Sequence, residues 1–468
     1  MNQRTTQSGF IMLTVLIMAF LLSFLGMVGA QLLISNARFN QYEGRSAEAM
    51  NVAEAGVNYY LWHLAHNPTD YKDGGTTPST APYGPYVHNS YDTDGNLLGS
   101  YTLYITPPSG GSTITTVKSI GQVPHFSGTR TILAQLGQPS FANYGLLSQS
   151  EVWFGSSEAS NGPVMSNVGV HMDGVNNGTV SAGQKTYKPT SQFGGNGTTF
   201  HCGVWGSGGP SSQWKPVEVA PFNATPPNCT DPVSVVNFAQ VSANLTTMKA
   251  SAQSGGTYTA GSGSKGYSIT LKSNGKYDRC KVTNETFSGS RATGITTSNC
   301  FSDLAAPANG VLFVDDNVWV SGTSFPGRIT IVAATLGGTA RSVNITSNLT
   351  YAAKDGSAAI GLIAQADVIV SDYAPNAVEI DAALLAQNGH VYSTGNAAAK
   401  TGTLTFYGAI ATFLFWTWGY VNGSGTLVSG WGTTATNFDS NLIYAPPPQY
   451  PTTGNYSILN WREQLYNP

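Results

Sequence analysis

From Phe10 to Ile34 the chain is almost wholly apolar, and no charged residue falls between Arg4 and Arg38. In a helix this run would measure about 37 Å, against about 30 Å for the hydrocarbon core of a bilayer. Residues Met1 to Gly9 are polar and carry one charge, Arg4, which favours a cytoplasmic leading end with the bulk of the chain outside. Beyond Ile34 the pattern becomes one-sided. Ala49, Val52, Ala53, Gly56, Val57, Tyr60, Leu61 and Leu64 recur at three- and four-residue spacing, while Glu48, Asn51 and Glu54 fall largely off that stripe. Asn67-Pro68 is a stop signal. The pattern predicts one helix over 10–66, about 85 Å long, which meets a membrane through 10–34 and carries a globular part on its second half. A secretory signal with Gly29-Ala30 at its cleavage site has a core of only about 7–15 residues. A plain signal anchor fits the hydropathy equally well.

After the helix the period shortens to two. Residues 68–90 read as a loop rich in Pro, Thr, Tyr and Gly, and Asp94-Gly95 marks a hairpin turn. Strands are expected at 101–105, 114–120 and 129–136, giving a small antiparallel sheet over 67–138. Asp92, Asp94 and Asn96 resemble the start of a calcium loop. Its twelfth position would be Leu103 rather than Glu, so a turn is expected instead. From Phe141 short apolar runs recur between Gly, Asn and Ser without a fixed period, as in an irregular solenoid over 139–200. Residues 201–300 are read as a disulfide-containing insertion with one short helix in Val233–Ala250. From Gly310 strong runs return about 15–25 residues apart, the length of one coil of a parallel β-helix. They are nearly continuous in apolar residues, which suits strands buried on both faces better than the cleaner alternation of a β-sandwich. The predicted class is mainly β with one long N-terminal α-helix, a small α+β head and a parallel β-helix over 301–468.

Composition narrows the function more by exclusion than by assertion. Charged residues are 10% of the 468, the net charge is −3, and glycines number 54. No basic surface for nucleic acid is expected. The four cysteines, Cys202, Cys229, Cys280 and Cys300, lie in the part expected outside the cell, where disulfides persist. Three connectivities are open, and nearest-neighbour pairing, Cys202–Cys229 and Cys280–Cys300, is the one expected. The histidines show no metal-binding spacing, the cysteines no CxxC pair, and no phosphate-binding loop or nucleophile elbow occurs. No cofactor or metal is therefore expected. Asp315-Asp316, Asp367 and Asp372 are the acids from which a glycan-cleaving pair would be drawn. Surface turns account for them more simply, and no enzyme activity is expected. The apolar segment Phe413–Tyr420 reads as a final core strand or as an exposed binding patch.

The segment Ser8-Gly9-Phe10-Ile11-Met12-Leu13 resembles the leader junction of type IV prepilins: a short polar leader ending in Gly, then Phe and a long apolar helix. The resemblance implies a leader over 1–9, cleavage after Gly9 by a prepilin peptidase, and N-methylation of Phe10. Most of that family has Glu at the fifth mature position, which here is Thr14. Its lack is typical of minor subunits of the PilX type and of the large K-type pseudopilin. Ala47 to Gly56, Lys118 to Gly121 and Thr129 to Ala134 also resemble PilX-type minor pilins. Ile380 to Leu384, Leu404 to Ile410, Asp439, Pro446 to Pro448, Pro451 and Trp461 to Glu463 resemble the β-rich domain often fused to them. The resemblance implies a minor pilin that sits in the cytoplasmic membrane and then enters a surface pilus, the tip being one place for it. Its partners would be other pilin subunits and the assembly machinery, and its head would serve assembly priming or adhesion to a ligand the sequence does not name. A pseudopilin of a type II secretion or DNA-uptake machine and an envelope-tethered polysaccharide-active enzyme are the alternatives.

Overall fold

The computed structural model describes residues 8–108, 114–156, 158–207, 226, 229–396, 398–424, 426–454 and 456–464. The protein is mainly β with one long helix, α1 (Ser8–His66, 59 residues). The chain forms two compact units, one from residues up to 107, 115–136 and from 458 on, the other from 108–114 and 137–457.

In the first unit α1 lies on an antiparallel sheet of β1 (Tyr83–Tyr91), β2 (Leu97–Thr106), β3 (Ile114–Gln122) and β4 (Arg130–Gly137). Period-two alternation turns Tyr101, Leu103 and Ile105 of β2 and Val117 of β3 to the buried side. They meet the helical stripe Ala49, Val52, Ala53, Val57, Tyr60 and Leu64. Each large apolar side chain enclosed here contributes about 1.5–3 kcal/mol. Two expectations are corrected. Leu61 is only half-buried, and His63 takes the inward place. The expected loop 68–90 contains β1, because its pattern of half-buried and exposed positions suits an edge strand and lacks the apolar alternation that would reveal it.

The second unit is built from stacked parallel ladders. In space the first runs Thr257–Thr259, Val311–Val314, Arg328–Ala333, Ala359–Ala364, Val378–Ala386, Ala399–Thr412, Leu146–Ser148, Val164–Ser166 and Val180–Ala182. A second joins Gly266–Leu271, Val318–Phe325, Val343–Tyr351, Val368–Val370, Val391–Ser393 and Trp416–Thr417. Val164 pairs with Val180, 16 residues on, Ile329 with Ile360, 31 on, and Thr257 with Leu312, 55 on, so the coils share no common length. This spread is why no fixed period shows in the sequence.

The near-continuous apolar runs have a direct cause. Leu312 and Val314 point into one core and Val311 and Phe313 into another. The second core is closed by α2 (Ala239–Ser254), whose Val241, Leu245, Met248 and Ala252 form a buried face. The proline-rich stretch after Ala445 covers the same side: Thr330 donates to the Pro448 carbonyl at 2.6 Å, and Arg328 to those of Ala445 and Pro446 at 2.7 Å.

The division of the chain is corrected accordingly. Within 201–300, expected as a disulfide-containing insertion, α2 plates the first ladder and Thr257–Leu271 supply end rungs of both, so these segments belong to the core of the second unit. The stretch 139–200 starts the β region in sequence but stacks after the rung Ile410–Thr412 in space. The last strand, Ser457–Glu463, returns to the first unit beside β4, so 301–468 is not one domain. Cys202 is bonded to Cys229 and Cys280 to Cys300; the second bridge crosslinks the long hairpin Lys276–Ser288 and Arg291–Ala305.

Candidate functional site

The outstanding functional feature is the exposed first half of α1. Phe20 is 73% and Leu33 71% exposed, as are the other large apolar residues from Ile11 to Phe39. It is the one helix among the described residues long and apolar enough to cross a membrane. So large an apolar surface is not stable in water and needs lipid or other apolar helices around it. Beyond its first turn, a helix pairs its backbone N–H and C=O groups internally, as a low-dielectric surrounding requires.

Gly9 and Phe10 lie inside the helical backbone of Ser8–His66, and Thr14 follows one turn later. Residues 1–7 of the expected leader lie outside the described residues, as do the side chains of Ser8, Gly9 and Phe10. Thr14 presents a hydroxyl where a carboxylate would need an opposite charge to be tolerated away from water.

Where α1 ends, a polar cluster fixes it to the following loop and to β1. His63 Nε2 is 3.1 Å from Asp70 Oδ2, and His88 Nε2 is 2.6 Å from Asp73 Oδ2. The Tyr59 hydroxyl donates to Asp73 Oδ1 at 3.0 Å. Burial pushes the Tyr59 hydroxyl up to about 12, aided by the neighbouring Asp73. Burial also raises Asp70, but backbone N–H groups of Lys72 and Gly74, together with His63, outweigh it and hold the carboxyl below its usual range. Sequence pattern alone misses this cluster. The continuing stripe through Tyr60 to His63 is the one signal that points to it.

The acids singled out in the sequence are turned onto separate partners. Asp315 accepts from Lys249 at 2.8 Å and Tyr258 at 3.0 Å, which outweigh burial and lower its pKa. Asp316 accepts the Ser262 N–H at 2.8 Å and hydroxyl at 2.6 Å. Asp367 accepts the His390 N–H at 2.7 Å and faces its Nδ1 at 2.9 Å. Asp372 accepts the Ala292 N–H at 3.0 Å, at the tip of the disulfide-linked hairpin, and burial raises its pKa. Among the described residues, no group of three or more His, Cys, Asp or Glu is placed to hold a metal ion. The aromatic segment 413–420 is divided: Trp418 is core, Trp416 is partly buried against it, and Leu414 is 37% exposed.

No protein-family model and no curated protein matches the chain. Among solved structures, the competence-associated pilin ComZ from Thermus thermophilus aligns over 90% of this chain and 98% of its own, at 13% identity and a TM-score of 0.26. A superposition at that level carries no weight for the fold or the function of this chain.

Proposed function

We propose that the chain is a pilin-like subunit of the minor, PilX-like kind. Its helix α1 anchors in the cytoplasmic membrane, is processed between Gly9 and Phe10, and is then drawn into a filament among other pilin helices. The globular units lie outside, where they serve assembly priming or adhesion rather than catalysis. The observation that carries this reading is the division of one continuous 59-residue helix into an exposed apolar half and a half packed on an antiparallel sheet. A soluble enzyme has no use for the first half, and a cleaved secretory signal would not share a helix with a core element of the folded head. The missing carboxylate at Thr14 favours a rare position over a repeated one, since a repeated subunit would leave every neighbouring N-terminal amine unpaired.

The test is mass spectrometry of the mature N-terminus together with fractionation of sheared filaments. An N-methylated Phe10 and recovery of the chain with filaments are expected. An intact Met1, a start near Gln31, or absence from filaments while the assembly machinery runs would overturn the proposal.

A further inference from the structure

Just beyond the apolar run, α1 and the turn between β3 and β4 flank an open groove of about 630 Å³. Its helical wall is Arg38, Gln41, Tyr42, Arg45 and Glu48, spaced so that all lie on one face. Its other wall is His125, Phe126 and Ser127, held in place by an edge-to-face contact of Phe126 with Tyr42, ring centroids 5.2 Å apart. The groove presents two guanidinium groups and an imidazole against one carboxylate, that of Glu48, which meets Arg45 at 2.9 Å.

Depth along the helix decides what would lie there. Arg38 follows Ile34 by about 6 Å and Arg45 by about 16 Å. The headgroup layer on each side of a bilayer is about 5–8 Å thick. Side chains on a helix lean toward its N-terminus, here toward the membrane, and arginine reaches several ångströms to keep its charge among polar groups. Tyr42 is of the aromatic type common near the membrane surface, and Phe126 packs against it. We propose that this groove holds the phosphate-bearing headgroup of an anionic phospholipid, gripped by Arg38 at headgroup depth, with Arg45 above it as a second positive charge and Phe126 against the bound lipid. The site orients the head on the membrane before α1 leaves it. The proposal rests on the reading of α1 as membrane-spanning.

The test uses the full chain in mild detergent, titrated with short-chain phosphatidylglycerol or phosphatidylcholine and followed by native mass spectrometry. At least tenfold stronger retention of phosphatidylglycerol is expected. It should vanish in the Arg38→Gln, Arg45→Gln double variant and strengthen in Glu48→Gln, which removes the competing carboxylate. Glycerol phosphate in equal amount should not displace the lipid. Equal retention of both lipids, a double variant that keeps the preference, or full displacement by glycerol phosphate would each overturn the lipid site while leaving the membrane reading intact. A chain that stays in solution without detergent and ignores vesicles of either lipid would overturn both.

Discussion

Gly121 of β3 lies directly against the backbone of α1 at Ala49: a Cβ there would overlap the Ala49 carbonyl oxygen and sit 2.5 Å from the Ala53 nitrogen. Ala49 and Ala53 are themselves fully buried, so helix and sheet meet at their smallest side chains. Because the obstacle is helix backbone, no rotamer change relieves it.

Gly121→Ala is therefore expected to lose at least about 1–3 kcal/mol through overpacking. Gly44, on the same helix, has nothing within 4 Å of the point where a Cβ would stand. Gly44→Ala should leave stability unchanged or raise it by up to about 1 kcal/mol, through helix propensity alone. Thermal unfolding of the two variants beside the parent checks both. Equal behaviour would show that the helix does not seat on β3 as described.

How much of this is readable from the chain follows from which interactions are local. The helix is legible because its signal is contiguous: an uncharged run from Phe10 to Ile34 and a stripe through Leu64 each lie within one element. The parallel ladders are legible as runs such as Val311–Val314, whose two buried faces leave no polar position. What covers the second face is not legible. The face of α2 with Val241 and Leu245 shows a helix that must pack, but nothing in its spacing names a ladder strand as its partner. Nor does Ser457–Glu463 reveal that it pairs beside β4, because that contact joins residues more than 300 apart, as in Arg130 with Glu463. In the candidate site, the apolar half of α1 can be read directly. The cluster of Tyr59, His63, Asp73 and His88 cannot, since it joins three elements.

Two carboxylates, Asp70 in the first unit and Glu158 in the second, should answer acid in opposite senses. Asp70 is held below its usual range in the fold, so its contribution is present above the unfolded pKa and is lost as pH falls through the folded one. Glu158 is raised from 4.5 to about 7 by burial, against one N–H from Gly155. Its contribution is full below about 4.5 and is lost as pH climbs to about 7. The upper bound is about 3–4 kcal/mol, since one pKa unit is about 1.4 kcal/mol. The residue keeps part of its surface in water, so the true figure is smaller. Hydrogen exchange between pH 4 and 7 should show protection near Glu158 falling as pH rises, and Glu158→Gln should flatten that slope. Protection around Asp70 should fall only at lower pH, and Asp70→Asn should remove that acid response.

The two disulfides should differ in what they contribute. Cys202–Cys229 closes a span of 27 residues and Cys280–Cys300 one of 20, so by chain entropy alone each is worth about 3 kcal/mol. The second, however, joins strands already held in register by the antiparallel ladder from Lys276–Ala305 to Ser288–Arg291. Replacing Cys280 and Cys300 by Ser should therefore cost less than replacing Cys202 and Cys229. Thermal melts of the two double variants, each with and without reductant, test the order. Equal losses, or a larger loss for the hairpin bridge, would mean that the hairpin ladder does not hold without its crosslink.

The returning strand should matter more through its packing than through its charge. Arg130 pairs with Glu463 and also reaches the Ser46 hydroxyl on α1, so three elements meet at one guanidinium. Both members of the ion pair are partly open to water, at 32% and 25%, which limits the pair to about 1 kcal/mol. Glu463→Gln should lower stability by no more than that, and less at high salt. Deleting residues 457–468 removes far more. It strips β4 of its neighbour, frees the bond from the Gln464 N–H to the Thr131 carbonyl, and uncovers the side on which Val57 and Ile132 line a cavity with Ile458 and Trp461. A loss several times that of Glu463→Gln is expected for the truncated chain in denaturant unfolding followed by tryptophan fluorescence. If truncation and charge removal cost the same, the last strand is pinned by its ion pair alone and the sheet of the first unit is complete without it.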